Sequence, residues 1–332
     1  MKDLNYICVV GYGWSGSSAC IDILKEFEGF TDIGGEFRIA KDPYGLLDLE
    51  NSLVHNWDFI RNDIAIVDFI KYCEMLSRST GLFKKSGKSF SDKLNIDFMR
   101  LVHDYIDSVI SMTYYGDSSV HRYYLSSVKL FLLKMRSKFG KENAIKTYYS
   151  RISEDEFVLK TQIFLDSVFN NFINNNGTVI LDQPISPVNI NNTIKYFKLS
   201  KVIVIDRDPR DIYSNLVKNK VLIGADLKNY DSVEKYVKWH NAMRTGYNEK
   251  ADSLFCSQIL RLNFEDLVCN YEHSVSKIID FLGGDVVHDK KRKYFNPDSD
   301  RAKSNVGLWR KYPDQSVMHE IKYKLDKYCV EA

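Results

Sequence analysis

The chain has 332 residues, 44% of them hydrophobic and 27% charged, with a formal net charge of +2. That balance is ordinary for a globular protein of one large or two modest domains; it excludes a strongly basic nucleic-acid binder but not a local basic pocket. Six cysteines without a C-x-x-C spacing read as reduced thiols rather than a disulfide framework or metal site, and the lack of an 18-residue apolar run or a visible secretory signal predicts a cytoplasmic protein without a membrane span.

In chain order, Tyr6 to Val10 is a short β-branched apolar run and predicts a buried strand. Ser17 or Ser18 is placed to cap a helix reaching about Phe27, with Ile21 and Leu24 on its buried side. Phe30 to Ile33 predicts a second strand, ending at Gly34-Gly35-Glu36. Residues from about 40 to 175 follow a helical pattern, rich in aromatic and polar residues. Within them HRYYLSSVKLFLLKM (121–135) predicts a core-packing helix and FKKSGKSFSDK (83–93) a solvated basic loop. Strand character returns at Thr178–Leu181, Lys201–Ile205 and Ile259–Asn263, each followed by a polar loop and a helical segment. The expected fold is P-loop-like: a three-layer α/β/α domain of about five parallel strands, spanning 1–332 and interrupted by a helical insertion at 40–175.

The first loop supports several anions. Gly11, Gly13 and Gly16 spell G-x-G-x-x-G, the dinucleotide fingerprint, and Asp32 or Glu36 stands where that reading wants its ribose ligand. Gly11, Gly16, Ser17 and Ser18 spell most of a nucleotide-triphosphate P-loop, but Ser17 occupies the place of its lysine. Glycine-rich backbone N–H groups at a helix start hold almost any phosphate, so this loop alone does not choose. A second motif, VIVIDRDPRDIYSN (202–215), sends Arg207 from a strand's carboxyl end into the crevice where α/β sheets bind ligands. Pro209 suits a first helical turn, Asp211 suits the positive helix end, and a guanidinium grips phosphate at two points.

Taken together, the glycine-serine loop and the R-D-P-R-D string resemble the sulfotransferases that use PAPS (3′-phosphoadenosine 5′-phosphosulfate). RLNFEDLVCNYEHSVSKIIDFLG (261–283) resembles the family's R-Y-E-D-L segment and following helix, and KSNVGLWRK (303–311) its C-terminal G-x-W-K loop. The resemblance implies that Gly11, Gly13, Trp14, Ser15, Gly16, Ser17 and Ser18 hold the 5′-phosphosulfate, and that Arg207 with Ser214 or Asn215 holds the 3′-phosphate. It also places Phe264 near the adenine and puts Lys303, Ser304 and Asn305 in the closing loop. Three positions depart from the family. Trp14 replaces the usual loop cation, with Arg38, Lys41 and Lys160 as unranked substitutes. The family serine position is Asn215, with Ser214 one residue early. Ala302 stands where an arginine is common, and Arg301 adjoins it.

Sulfuryl transfer needs a base for the acceptor hydroxyl, in-line geometry and stabilised charge on the leaving phosphate. Glu36, after the second strand, is the expected base, as in several carbohydrate sulfotransferases that the chain resembles; Asp182 is second choice. No metal is expected. The implied acceptor is a small molecule or glycan bound by the insertion. Two other classes stay open: an NAD(P)-dependent oxidoreductase, which leaves Arg207 and the 303–311 loop unexplained, and a non-catalytic nucleotide-binding protein, suggested by Trp14. Oligomeric state is not legible.

Overall fold

The computed structural model describes residues 5–80, 87–116, 125–140, 145–170, 177–221, 232–244, 257–283 and 285–331. The chain divides into two compact units, Met1–Lys41 with Ile173–Ala332, and Asp42–Phe172.

The first unit is built on five parallel strands in the order β2-β5-β1-β6-β7: β1 (Asn5–Gly11), β2 (Phe30–Glu36), β5 (Thr178–Asp182), β6 (Ser200–Asp206) and β7 (Ile259–Asn263). The central β1 is buried on both faces from Tyr6 to Gly11, which is why it reads as a continuous apolar run rather than an alternating one. Ile7 and Val9 pack with Ile180, Ile203 and Ile205 against helix α1 (Ser17–Leu24) and the helices Phe264–Cys269 and Tyr271–Leu282. Each such fully buried side chain contributes roughly 1.5–3 kcal/mol. Beyond the short helix α8 (Ile190–Ile194), a second cluster joins α9 (Pro209–Lys218), α10 (Val233–Ala242) and the helix Gln315–Leu325 through Tyr213, Leu216, Tyr236 and Ile321. Parallel pairing puts the carboxyl ends of all five strands on one edge, where the glycine loop, Glu36, Asp182, Arg207 and Phe264 follow their strands.

The second unit contains α2 (Leu46–Glu50), a π-helical turn at Asn51–His55, α3 (Phe59–Ser77), α4 (Phe90–Leu94), α5 (Phe98–Val109), β3 (Met112–Gly116), α6 (Ser127–Lys138), β4 (Ile145–Tyr149) and α7 (Glu154–Asn170). Tyr105 of α5 stacks on Phe164 of α7 at 4.7 Å, and its hydroxyl lies 2.8 Å from Thr161 Oγ1. Asn62 of α3 exchanges hydrogen bonds with the backbone of Ser150, pinning the end of β4. The π turn places His55 Nε2 3.0 Å from the buried Glu50 Oε1, with Glu154 beside them; sequence gave no sign of this trio because Glu154 lies a hundred residues on.

The core-packing expectation for 121–135 is corrected where the chain is described: no residue of α6 is buried. Val128, Phe131 and Leu132 stand in solvent. Residues 83–86 of the basic stretch and 121–124 lie outside the described residues. No described helix is long and apolar enough to cross a membrane, and the described cysteines, Cys8, Cys20, Cys73, Cys269 and Cys329, are free thiols.

Candidate active site

β1 ends at Gly11 against Ile205 of β6, where a Cβ would lie 3.0 Å from the Ile205 carbonyl and 2.0 Å from Ser15 Oγ. The chain then turns through Gly13 (φ 90°), Trp14 (φ 57°) and Gly16 (φ 83°) before α1 starts. Gly16 caps α1 without any side-chain hydrogen bond, and the first turn holds no acidic residue. The helix therefore presents N–H groups and partial positive charge without a counter-charge in its first turn, the arrangement that binds anions, with Asp22 further along it.

Arg207 enters from β6 and is only 4% exposed. Its Nη1 donates to the Trp14 carbonyl at 3.4 Å, its Nη2 to the Asn305 carbonyl at 2.5 Å, and its guanidinium lies 4.9 Å from the Phe264 ring centroid. Its Nε is buried with no partner among the described residues. Burial pulls the guanidinium's pKa down, opposed by Asp211, Glu265 and Asp208. Glu265 is itself pushed up to about 7, chiefly by burial.

These parts share one cavity of about 450 Å³. Its walls include Trp14, Gly16, Ser17, Ser18, Arg207, Asn215, Phe264 and Asn305. A cavity of that size suits a nucleotide. Gly11, Gly13 and Ser15 shape the loop beneath it without lining it. Ser214 Oγ instead donates to the Arg210 carbonyl at 2.8 Å, so Asn215 is the residue of the pair that reaches the cavity. Lys303 Nζ pairs with Asp298 at 3.1 Å and Ser304 Oγ donates to the Arg301 carbonyl; neither lines the cavity, whereas Arg301 does.

Two buried acids hold the walls: Asp211, read from the sequence only as a helix-start residue, and Glu26, which the sequence did not single out. Asp211 is fully buried and accepts from Gly307 N at 2.8 Å and Trp309 N at 2.9 Å, fastening the C-terminal loop to the start of α9. Glu26 accepts from the backbone of Arg292, Tyr294 and Phe295 and from His288, and so fixes the segment that brings Tyr294 and Phe295 to the cavity. Burial would raise the Glu26 pKa, but these donors outweigh it and hold the carboxyl below its usual range. The sequence shows Asp211 only as an acid at the start of a helix in R-D-P-R-D, without its loop partners; Glu26 has no trace, because its partners lie some 260 residues downstream.

A second group sits at the ends of β2 and β5. Glu36 is exposed and opposite Asp182 in the strand register, with Arg38 Nη1 3.8 Å from its Oε2. Asp182 is raised to about 6 by burial and by the charges of Glu36 and Asp32, and its Oδ1 is buried without a partner among the described residues. Lys41 Nζ donates to Gln183 Oε1 at 3.1 Å, and Gln183 Nε2 donates to Ser17 Oγ at 3.3 Å. That chain links Lys41 to the glycine loop. Lys160 bonds instead to Glu156 and the Ser108 carbonyl inside the second unit.

The sulfotransferase family model matches residues 115–289. No curated protein matches the chain. Among solved structures, the sulfotransferase domain from the Synechococcus PCC 7002 olefin synthase is 14% identical with a TM-score of 0.40, the match covering 100% of this chain and 90% of that one. Sulfotransferase STF9 from Mycobacterium avium is 11% identical with a TM-score of 0.38, covering 100% and 78%. Retinol dehydratase in complex with androsterone and inactive cofactor PAP is 14% identical with a TM-score of 0.35, covering 97% and 80%.

Proposed function

The chain belongs to the sulfotransferase family, and from that premise we propose that it moves a sulfuryl group from PAPS to a hydroxyl of a carbohydrate or glycoconjugate, leaving a sulfate ester and adenosine 3′,5′-bisphosphate. The observation that carries this reading is the shared cavity: the start of α1, with no side-chain cap and no acid in its first turn, and the buried Arg207 line the same space. The two anionic ends of one doubly phosphorylated nucleotide match those two features. An NAD(P) reading uses the glycines but assigns no work to Arg207.

PAPS supplies the activated sulfuryl group. The N–H groups of Ser17 and Ser18 and their hydroxyls hold its 5′ end, Arg207 and Asn215 its 3′-phosphate, and Phe264 contacts the nucleoside. Lys41, tied through Gln183 to Ser17, takes the place of the cation that Trp14 displaces and stabilises charge at the 5′ end. Glu36 accepts the acceptor's hydroxyl proton on its carboxylate. Asp182 is the second candidate for that proton, favoured by its unpartnered Oδ1. The Asp42–Phe172 unit supplies acceptor recognition.

Calorimetry with adenosine 3′,5′-bisphosphate against NAD tests the nucleotide assignment; binding of NAD alone overturns it. A sulfuryl-transfer assay over a panel of sugar, phenol and steroid hydroxyls tests the acceptor class. In that assay Glu36→Gln is expected to lose about a hundredfold or more in kcat while bisphosphate affinity is retained. Full activity in that variant, with loss in Asp182→Asn, moves the base to Asp182. The rate should then also fall as pH drops through about 6.

A further inference from the structure

We infer that α6 is a membrane-surface element that binds anionic lipid bilayers. This goes beyond the transfer reading and does not depend on it. The helix Ser127–Lys138 has no buried residue. Val128 (69% exposed), Phe131 (61%), Leu132 (55%) and Phe139 (72%) stand in solvent. Together with Met135 they occupy positions i, i+3, i+4, i+7 and i+11, one continuous stripe along the helix. Leu130, Leu133 and Met135 are partly buried, and the stripe is barest at Val128, Phe131, Leu132 and Phe139.

Cations border the stripe on both flanks: Lys129 and Arg136, seven residues apart, on one side, and Lys134 and Lys138, four apart, on the other. No acidic residue occurs from 125 to 140. Beside the helix runs an apolar groove of about 580 Å³, lined by Leu132, Leu133, Met135 and Phe139 with Lys129 and Arg136 at its rim. Exposed aromatic and aliphatic groups between two rows of cations match the cross-section of a bilayer interface, where acyl chains lie below a layer of anionic headgroups. Long basic side chains reach those headgroups while their stems cover apolar surface. Charge decides between occupants. Pairing of α6 with α6 of a second copy would bring eight cations together with no acid on either helix, whereas an anionic bilayer satisfies both the stripe and its flanks.

The test is sedimentation of the full chain with vesicles of phosphatidylcholine alone or mixed with phosphatidylglycerol. Binding is expected only to the phosphatidylglycerol vesicles and should weaken as salt rises. Phe131→Ser and Phe139→Ser should each weaken partitioning by about tenfold or more. Lys134→Glu with Lys138→Glu, both on exposed positions, should abolish it. Unchanged melting temperature and circular dichroism in these variants show that the fold survives; if a serine variant unfolds, the lysine pair and the salt series on the unaltered chain still decide. No binding to either vesicle, or equal binding to both, overturns the proposal. So does a dimer in sedimentation equilibrium that Phe131→Ser dissolves, which would assign the stripe to self-association.

Discussion

Gly16 carries two constraints at once. Its φ of 83° lies in the left-handed region, and a Cβ there would sit 2.4 Å from Phe264 Cδ2. Gly16→Ala is expected to weaken bisphosphate binding by displacing Phe264 and the start of α1, and unchanged affinity by calorimetry would remove this residue from the site. Arg207→Ala should cost about 2–4 kcal/mol of bisphosphate affinity, the scale for losing a buried charged partner. The neighbouring pair discriminates more finely: Asn215→Ala should weaken the same ligand, whereas Ser214→Ala should not, because the Ser214 hydroxyl is bonded within α9. Asp182 yields a pH prediction. Its carboxyl is raised from 3.8 to about 6, so the folded chain holds a proton that the unfolded chain releases nearer pH 4. Stability conferred by the neutral form is lost as pH rises from about 4 to about 6. Asp182→Asn should flatten the melting temperature across that window, and parallel curves for both proteins would show that Asp182 does not titrate there.

At the scale of elements, the site is a set of strand ends closed by a loop from elsewhere in the chain. β1 supplies the glycine turn, β6 supplies Arg207, and the residue after β7 is Phe264. The C-terminal loop joins them through Asp211, which accepts from the N–H groups of Gly307 and Trp309, and through Arg207, which donates to the Asn305 carbonyl. Asp211→Asn exchanges one acceptor oxygen for a donor that faces an N–H, a loss of about 1–3 kcal/mol. The expected result is faster proteolysis within 303–311 and weaker bisphosphate binding, with the sheet's hydrogen exchange unchanged; an unaltered cleavage rate would deny Asp211 its fastening role. β1, β5 and β6 were legible because each is a short β-branched run with a buried centre, whereas β3 and β4, half-buried or exposed, left no such trace in a stretch that reads as helical. The fate of 121–135 was not legible: an apolar helix reads alike whether its neighbours cover it or leave it bare, and only the packing of the unit distinguishes them.

At the scale of the molecule, the cavity gathers residues separated by nearly three hundred positions. Adenosine 3′,5′-bisphosphate should therefore slow hydrogen exchange in three stretches together, near 13–19, 207–215 and 301–305. Protection confined to the first would reduce the site to a simple phosphate loop. The motifs around Gly16, Arg207, Phe264 and Asn305 could be read directly from the sequence, as could the five strands of the parallel sheet but not the β3–β4 hairpin within the stretch read as helical, because glycine turns, strand ends and helix starts are local consequences of residue type. Tertiary structure alone decided that Asn215 rather than Ser214 lines the cavity, that Lys41 reaches Ser17 through Gln183, and that Glu26 and Asp211 hold its walls. Those outcomes depend on hydrogen bonds and charges brought together across long stretches of chain, and a buried carboxylate acquires its role from whichever backbone donors the fold delivers to it, not from its neighbours in sequence.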